Sequence, residues 1–573
     1  YGVLSVLWSA LFVNQPVQQS LSLLFVELGT FLQIKSQLLE PTEQVDIEDR
    51  RLQLARQNSR VVTALNHTRD LLFNRIRRNR SGIKINRYLR LYFIAQDIHE
   101  RATSTHYPYA SLASTFFFSD VLFRCQRLLN QQGAACKALG RAVRYRHGFN
   151  YQESQIALDE LNRSMEHLRE QENPRWHVLL RALQALVNNL TVLEKDLDNS
   201  HNPDARSDLA DVSFVDRSPR TIREALERVK QNLTTKSQTF RHAIRLTLVL
   251  AVSYGLMEWL PLKQGYWILM TAVFVCRPNY GATKKRLGQR IVGTVIGLFG
   301  SWALITLFPN LLVQSLLILV FGVIFFIYRV DRYLFSTAAI TVVLMLCFNE
   351  QIGGSLDLLL PRLYSTIIGA SISALAVLFI YPDWQGRNLR ELMAATLRAQ
   401  GEYLQRIVEQ FGQGRDDHLA YRLARRNAHN ADAALTNALS NMLDEPEHAR
   451  TEVKPGLRFL SASHEMLGYL SALGAQREDS QTQVCSSLTP EYQANVLQLA
   501  QDMIEASRFL KNRQLVPNEG FWTERYEEIS ARGDESTTHT QLAMIVQQWM
   551  TLKQRLNEYL NAYAVKLANE RIE

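Results

Sequence analysis

The sequence has few cysteines and lacks the common motifs of catalytic centres and metal sites. Its 573 residues include only five cysteines, and no two of them form a C-x-x-C pair. An odd, scattered set argues against a disulfide framework and a structural zinc site. The G-x-x-x-x-G-K-[ST], G-x-S-x-G and H-E-x-x-H motifs are also missing. We therefore expect no ATP-driven pump, no enzyme, no cofactor and no metal ion.

Motifs for nucleic-acid binding are missing as well, although the formal net charge is +9. The chain has no zinc-knuckle spacing, no RNP-like aromatic motif and no arginine-rich arm. Many of its Arg and Lys residues instead flank apolar segments, where the cytoplasmic loops of membrane proteins are basic. The sequence predicts contact with membrane lipid and no nucleic-acid partner.

Apolar residues are concentrated in one region of the chain. Residues 246–381 are almost all apolar, whereas 35–240 and 383–573 are rich in Arg, Glu, Gln and Asn. A helix needs about 20 apolar residues to cross a bilayer. Prolines and charged loops divide a membrane block at 241–382 into six predicted spans. These are 241–260, a short 264–276, 288–308, 311–328, 332–348 and 362–381.

The charges of the loops between these spans predict an orientation. One set of loops is basic and contains Arg277, Lys284, Lys285, Arg286, Arg290, Arg329 and Arg332. The opposite set contains little besides Lys263, Glu350, Asp357 and Arg362. Because cytoplasmic loops carry the excess of Arg and Lys, both ends of the block should face the cytoplasm. We expect a multi-pass protein of a bacterial inner membrane.

Helical periodicity continues on both sides of the membrane block. Residues 16–240 are predicted to form a cytoplasmic helical domain with a linker near 198–220. Residues 383–573 are predicted to form a second cytoplasmic bundle. The fold class is therefore all-α, with about six transmembrane helices between two cytoplasmic helical bundles.

Short matches between the two halves indicate an internal duplication. The segments ALFVNQP and VLFIYP each lead into a proline, at Pro16 and Pro382. LARQN at 54–58 resembles LARRN at 423–427, and His99-Glu100 resembles His464-Glu465. These matches keep the same order, and such repeats are frequent in transporters. We interpret residues 1–15 as the end of a first membrane block that is truncated in this sequence.

The most specific stretch lies between Arg241 and Gly300. It contains Arg241-x-x-x-Arg245, Gly265-Tyr266-Trp267, RPNYGAT at 277–283, and Arg290-x-x-Gly293-Thr294-x-x-Gly297. In these motifs the chain resembles the fusaric-acid-resistance (FUSC) superfamily, which includes aromatic-acid exporters, and within it the YccS/YhfK branch of inner-membrane proteins. The resemblance covers nearly the whole chain. It implies export or membrane transport of small organic anions.

Candidate residues of a substrate path lie mostly near the cytoplasmic ends of the spans. They are Arg241, Arg245, Arg277, Asn279, Tyr280 and Arg290, with Glu258 near the outer end of the first span. A basic vestibule would gather carboxylates, although the positive-inside rule and contacts with lipid phosphates also explain arginines here. Glu258 is either a proton-coupling group at membrane depth or an interfacial residue beside Trp259.

Two further groups of residues have structural interpretations. Gly293, Gly297 and Gly300 approximate the small-x-x-x-small spacing that lets membrane helices pack closely. His99 and His464 each stand beside a glutamate without the spacing of a metal site, and we expect them to be hydrogen-bonded structural residues.

Three functions remain open from the sequence. The first is secondary export of small organic acids, aromatic ones included. The second is an anion pore resembling a channel, and the third is a membrane-anchored scaffold acting through its cytoplasmic helices. The expected partners are membrane lipid, a small organic anion and a second copy of the chain.

Overall fold

The computed structural model describes most of the chain, and every regular element that it describes is a helix. The described residues are 12, 14–40, 47–78, 83–105, 109–171, 176–200, 221–234, 237–259, 264–329, 332–352, 355–382, 384, 386–413, 419–447, 453–475, 490–517, 520–531 and 537–569. Most of the predicted block end at 1–15 and of the linker near 198–220 lies outside these ranges.

The described α-helices are numbered here in chain order. Before the apolar region they are α1 (Gln15–Ser36), α2 (Ile47–Arg78), α3 (Ile83–Thr103), α4 (Tyr109–Thr115), α5 (Val121–Tyr145), α6 (Glu153–Glu170), α7 (His177–Asn199) and α8 (Ile222–Asn232). In and around it are α9 (Gln238–Trp259), α10 (Tyr266–Val275), α11 (Tyr280–Leu307), α12 (Leu311–Tyr328), α13 (Tyr333–Ile352) and α14 (Leu359–Phe379). After it come α15 (Gly386–Gln413), α16 (Leu419–Leu443), α17 (Val453–Ala475), α18 (Pro490–Lys511), α19 (Phe521–Ala531) and α20 (Thr537–Asn569).

The chain divides into two compact units. The first, called the helical unit, comprises Tyr1–Val215, Gly386–Ser440 and Thr451–Glu573. The second, called the membrane unit, comprises Asp216–Gln385 and Asn441–Arg450. The two segments predicted as separate cytoplasmic domains thus contribute to a single unit.

The helices of the helical unit form because their apolar residues lie along one face. In α7, Leu183, Leu186, Leu190, Leu193 and Leu197 alternate between three- and four-residue spacing, and all five are buried. Burying each such side chain contributes roughly 1.5–3 kcal/mol. The core is built in the same way from α1, α3, α5 and α6.

The pairing of helices repeats within the helical unit. The pairs α1–α5, α3–α7 and α6–α7 in the first half correspond to α15–α18, α17–α20 and α19–α20 in the second. The equivalent pairs α1–α5 and α15–α18 also share a close approach of their backbones at a glycine. In the first pair, Gly29 of α1 faces the carbonyl oxygen of Gly133 in α5. A Cβ built on Gly401 of α15 would lie 2.8 Å from the carbonyl oxygen of Ala500. These pairings are those that a duplication would produce.

The LARQN and LARRN motifs occupy equivalent helices, α2 and α16, and the two halves meet around them. Arg425 Nη1 lies 2.5 Å from Glu100 Oε2, and Arg51 Nη2 lies 3.0 Å from Glu465 Oε1. Each glutamate of the matched His-Glu pairs therefore binds an arginine of the opposite half. These contacts hold the halves together in one unit.

Among the described residues of the membrane unit, four helices are long and apolar enough to cross a membrane: α11, α12, α13 and α14. The first two predicted spans correspond to α9 and the ten-residue α10. The short α10 is apolar, whereas α9 carries Arg241, Arg245 and Glu258. The total of six spans stays a prediction.

Candidate functional site

A break in the backbone separates α10 from α11. Cys276 and Asn279 are extended, and Pro278 has no N–H to donate to a continuing helix. The Thr283 hydroxyl closes the break, since its oxygen accepts from the Arg277 N–H at 3.1 Å and lies 3.0 Å from the Asn279 carbonyl oxygen. The RPNYGAT motif is therefore a structured turn that leads into α11.

The Arg245 side chain of α9 forms hydrogen bonds both with this break and with residues at the end of α14. Its side chain is fully buried. Nη1 donates to the Pro278 carbonyl at 2.9 Å, Nη2 to the Tyr381 carbonyl at 2.9 Å, and Nε to the Ile380 carbonyl at 3.2 Å. All three nitrogens thus bind backbone oxygens, so the geometry gives Arg245 a structural function; its place in a substrate path stays a prediction.

The other predicted path residues are scattered around the same end of the unit. Arg241, Arg277, Asn279 and Tyr280 are partly buried, and Tyr280 lies 5.8 Å from Trp384 between ring centroids. Asn279 accepts a hydrogen bond from the Gln238 amide. Arg290 lies deeper in α11, where it is 4% exposed and its guanidinium carbon is 5.7 Å from the centroid of the Phe274 ring.

Glu258 stands apart from these residues. It is exposed near the end of α9, beside Trp259, whose side chain is 79% exposed. Both alternatives for Glu258, proton coupling and an interfacial position, stay predictions.

The predicted small-residue face contacts α13. A Cβ built on Gly293 would lie 2.8 Å from the Leu334 carbonyl oxygen, and one on Gly297 would lie 2.7 Å from that of Ala338. At Gly300 the nearest atom would be Val342 Cγ2 at 3.6 Å, an ordinary contact. Gly293 and Gly297 therefore permit the close approach of the two helices, and Gly300 is not needed for it.

Several buried polar side chains of the membrane unit have no hydrogen-bond partner within the described part of the chain. They are Ser253, Trp267, Thr271, Thr294, Thr337 and Ser365, each by its side-chain donor, and the Nε of Arg290. They come from five helices, α9, α10, α11, α13 and α14. Buried polar groups are normally paired, so this set marks the interior of the membrane unit as unusually polar.

Arg362 is the functional candidate that sequence reasoning missed. We assigned it to an outer loop, but it lies in the first turn of α14 and its side chain is 0% exposed. None of its three guanidinium nitrogens has a hydrogen-bond partner among the described residues. The only indication in the sequence was that Arg362 stands directly before an apolar segment. We interpreted that position as the edge of a membrane span.

An acidic segment after α16 belongs to the membrane unit. A Cβ built on Gly281, in the first turn of α11, would lie 2.8 Å from Asp444 Cβ and 3.0 Å from its Oδ2. A carboxylate near a helix N-terminus is favourable because it faces the positive end of the helix dipole.

In the helical unit, both predicted structural histidines are hydrogen-bonded. His99 Nε2 lies 2.9 Å from Asn58 Oδ1, and His464 Nδ1 lies 3.0 Å from Asp432 Oδ2. The ring of His429, which we did not single out, lies 4.9 Å from that of His99. Neither nitrogen of the buried His429 has a partner within the described ranges. No group of three His, Cys, Asp or Glu residues there could hold a metal ion.

Burial makes these histidines sensitive to acid. Desolvation, and then the charges of Arg425 and His464, lowers the pKa of His99 to about 3. Desolvation, and then His99, Arg425 and His464, lowers the pKa of His429 well below its usual value. Below pH 6.5 the unfolded chain binds protons that the folded chain does not, so both groups reduce stability as pH falls.

We expect His429→Leu to remove part of this acid sensitivity. One histidine with a strongly lowered pKa contributes about 1.4 kcal/mol of lost stability per pH unit below 6.5, or about 2 kcal/mol at pH 5. The melting temperature should therefore fall less between pH 7.5 and pH 5 in this variant than in the wild type. Exposed His167 provides the control, and His167→Leu should leave the difference unchanged. Equal acid sensitivity of wild type and His429→Leu would contradict the prediction.

Comparisons with known proteins match two family models to the chain. The family described as FUSC-like inner membrane protein yccS matches residues 1–197, and the family described as fusaric acid resistance protein-like matches residues 250–376. The chain is 38% identical to the inner membrane protein YccS of Escherichia coli over 486 residues, which cover 83% of this chain and 67% of YccS.

Two other relatives extend the comparison. A Haemophilus influenzae protein described as uncharacterized is 36% identical over 83% of this chain and 66% of its own length. YhfK of Escherichia coli is 28% identical over 76% of this chain and 58% of its own length. The chain spans about two thirds of the length of the first two relatives. It belongs to the FUSC-like family of inner-membrane proteins that includes YccS.

Proposed function

We propose that the protein is a secondary transporter that exports small organic acids, aromatic ones among them, across the inner membrane. The observation that carries the proposal is the set of buried polar side chains without partners in the membrane unit. Each of them costs free energy in an apolar environment. A helix bundle that served only as an anchor would have no need of them, whereas a transport path must offer polar groups to its substrate.

The basic residues fit the same function. Arg277 lies within the break between α10 and α11, and its Nε is buried without a partner in the described residues. With the predicted orientation, Arg277 lies at the cytoplasmic entrance, where its charge would attract carboxylates. Export would then draw on the proton gradient or the membrane potential, because the sequence contains no nucleotide-binding loop.

Cells that lack the full-length gene provide the test. They are challenged with a panel of aromatic and aliphatic carboxylic acids, and intracellular accumulation is followed by mass spectrometry. At least one acid should accumulate in the deletion strain and clear when the wild-type gene is restored. If no acid behaves differently in the two strains, the export proposal fails.

Arg277→Ala should slow the clearance of that acid about tenfold. The estimate corresponds to one charge-assisted contact of about 1.4 kcal/mol. The matched control is Arg332→Ala, which removes an exposed arginine just before α13 and should clear the acid at the wild-type rate. Equal rates for Arg277→Ala and wild type would exclude Arg277 from the path.

Purified protein reconstituted into liposomes would distinguish a carrier from a pore, since only a pore gives single-channel current steps.

A further inference from the structure

We propose that Arg362 binds the carboxylate of a monocarboxylic acid with an aromatic body, inside the membrane unit. This inference rests on the proposed function and names its substrate-binding residue. The evidence begins with burial: the Arg362 side chain has no exposed surface, and Nε, Nη1 and Nη2 all lack a hydrogen-bond partner within the described residues. A guanidinium keeps its charge in proteins, so the site holds a buried cation that no described carboxylate pairs.

Among the described residues, one ring contact offsets part of the cost of burying the Arg362 charge. The guanidinium carbon of Arg362 lies 4.8 Å from the centroid of the Trp267 ring. Such a cation–π contact stabilises the charge in part. It does not use the five N–H donors of the guanidinium, which point outward in its own plane. The positive charge of Arg290 also acts on Arg362 and adds repulsion. A bound anion would relieve both costs.

The unused groups next to Arg362 are hydrogen-bond donors. Ser365 lies one turn further along α14, and its hydroxyl is buried without a partner in the described part of the chain. The indole N–H of Trp267 is buried and unused in the same way. A carboxylate has two oxygens and about four acceptor sites, and it accepts two parallel bonds from a guanidinium. The donor set therefore suits a carboxylate better than a neutral ligand or a cation.

The surroundings of Trp267 suggest the rest of the ligand. Its ring meets that of Phe348 edge-on, with centroids 5.7 Å apart, and that of Tyr266 at 5.9 Å. Met345 and Leu358 complete an apolar cluster around the indole. Aromatic rings pack well in such offset and edge-on arrangements. An acid with an aromatic body would place its carboxylate on Arg362 and its ring among these side chains.

The test measures binding and transport on the same purified full-length protein. Benzoate is the probe, and its dissociation constant is taken from the rise in melting temperature with benzoate concentration at pH 7.5. We expect saturable stabilisation of the wild type and at least a tenfold weaker affinity for Arg362→Gln. Arg329→Gln removes an exposed arginine at the end of α12 and should bind benzoate like the wild type. If Arg362→Gln does not give monodisperse protein, Arg362→Lys takes its place, because lysine keeps the charge but loses the paired hydrogen bonds.

Parallel uptake of benzoate by liposomes separates the two proposals. Transport by the wild type with unchanged benzoate affinity in the Arg362 variant would overturn the binding site and leave the transport function standing. Binding that depends on Arg362 without transport of any acid would support the site and count against the transporter. A wild-type protein that does not bind benzoate overturns the assignment of Arg362. Loss of stability in the variant without loss of benzoate affinity also overturns it, because a protein carboxylate would then be the partner.

Discussion

Arg245→Ala should destabilise the protein by about 3 kcal/mol, the largest effect that we expect from a single side chain in the membrane unit. The substitution leaves the carbonyl oxygens of Pro278, Ile380 and Tyr381 without the donors that now bind them. Hydrogen bonds to charged groups contribute about 1.5–3 kcal/mol each, and water can replace some of them. Thermal unfolding of the detergent-solubilised protein measures the change.

Two further variants test whether the loss of stability in Arg245→Ala comes from its hydrogen bonds with the three carbonyl oxygens. Arg245→Lys keeps the charge but cannot reproduce the planar fork of donors, so its stability should lie between those of wild type and Arg245→Ala. Lys284→Ala removes an exposed cation of α11 and should change the melting temperature little. An Arg245→Ala protein as stable as the wild type would show that the break and the end of α14 hold together without this residue.

Gly297→Val should give the second large loss, about 1–3 kcal/mol, through overpacking. A Cβ at this position would lie 2.6 Å from Thr341 Cβ and 2.7 Å from the Ala338 carbonyl oxygen. Because one of these atoms belongs to the backbone, no change of side-chain rotamer relieves the contact, and α11 must move away from α13. The melting temperature in detergent again provides the measurement.

Two glycines of the same helix serve as controls for this prediction. A Cβ on Gly300 would meet only Val342 Cγ2 at 3.6 Å, and one on Gly288 would meet nothing within 4 Å. Gly300→Ala and Gly288→Ala should therefore be neutral or slightly stabilising, since alanine favours a helix over glycine by up to about 1 kcal/mol. A loss as large in Gly300→Ala as in Gly297→Val would mean that flexibility, rather than close packing, explains the glycines.

Local features of the sequence were sufficient to predict the apolar helices. The predicted span at 311–328 has the same bounds as α12, and Pro309 lies in the turn that separates it from α11. Helix periodicity and proline act over a few residues, so they can be interpreted without knowledge of the fold. The motif at 277–283 was likewise found from the sequence alone, and Thr283 closes the backbone break within the motif itself.

Features that depend on distant residues could not be predicted in this way. The carbonyl partners of Arg245 lie 33, 135 and 136 residues away in the chain. Arg362 attracts attention only because no described residue forms a hydrogen bond with its guanidinium, and a missing partner leaves no mark on the sequence. The close approach of Asp444 to Gly281 joins the start of α11 to a segment that follows α16.

The division of the helical unit between two distant parts of the chain has a consequence for biosynthesis. Residues 14–200 leave the ribosome before 216–385, yet Glu100 and His99 find their partners on Arg425 and His429. At about 5–20 residues per second, the first half waits roughly 10–45 s until Arg425 and His429 have been synthesised. Insertion into the membrane thus takes place while this unit is half made. During that interval the buried polar face of α3 is open to proteases and chaperones.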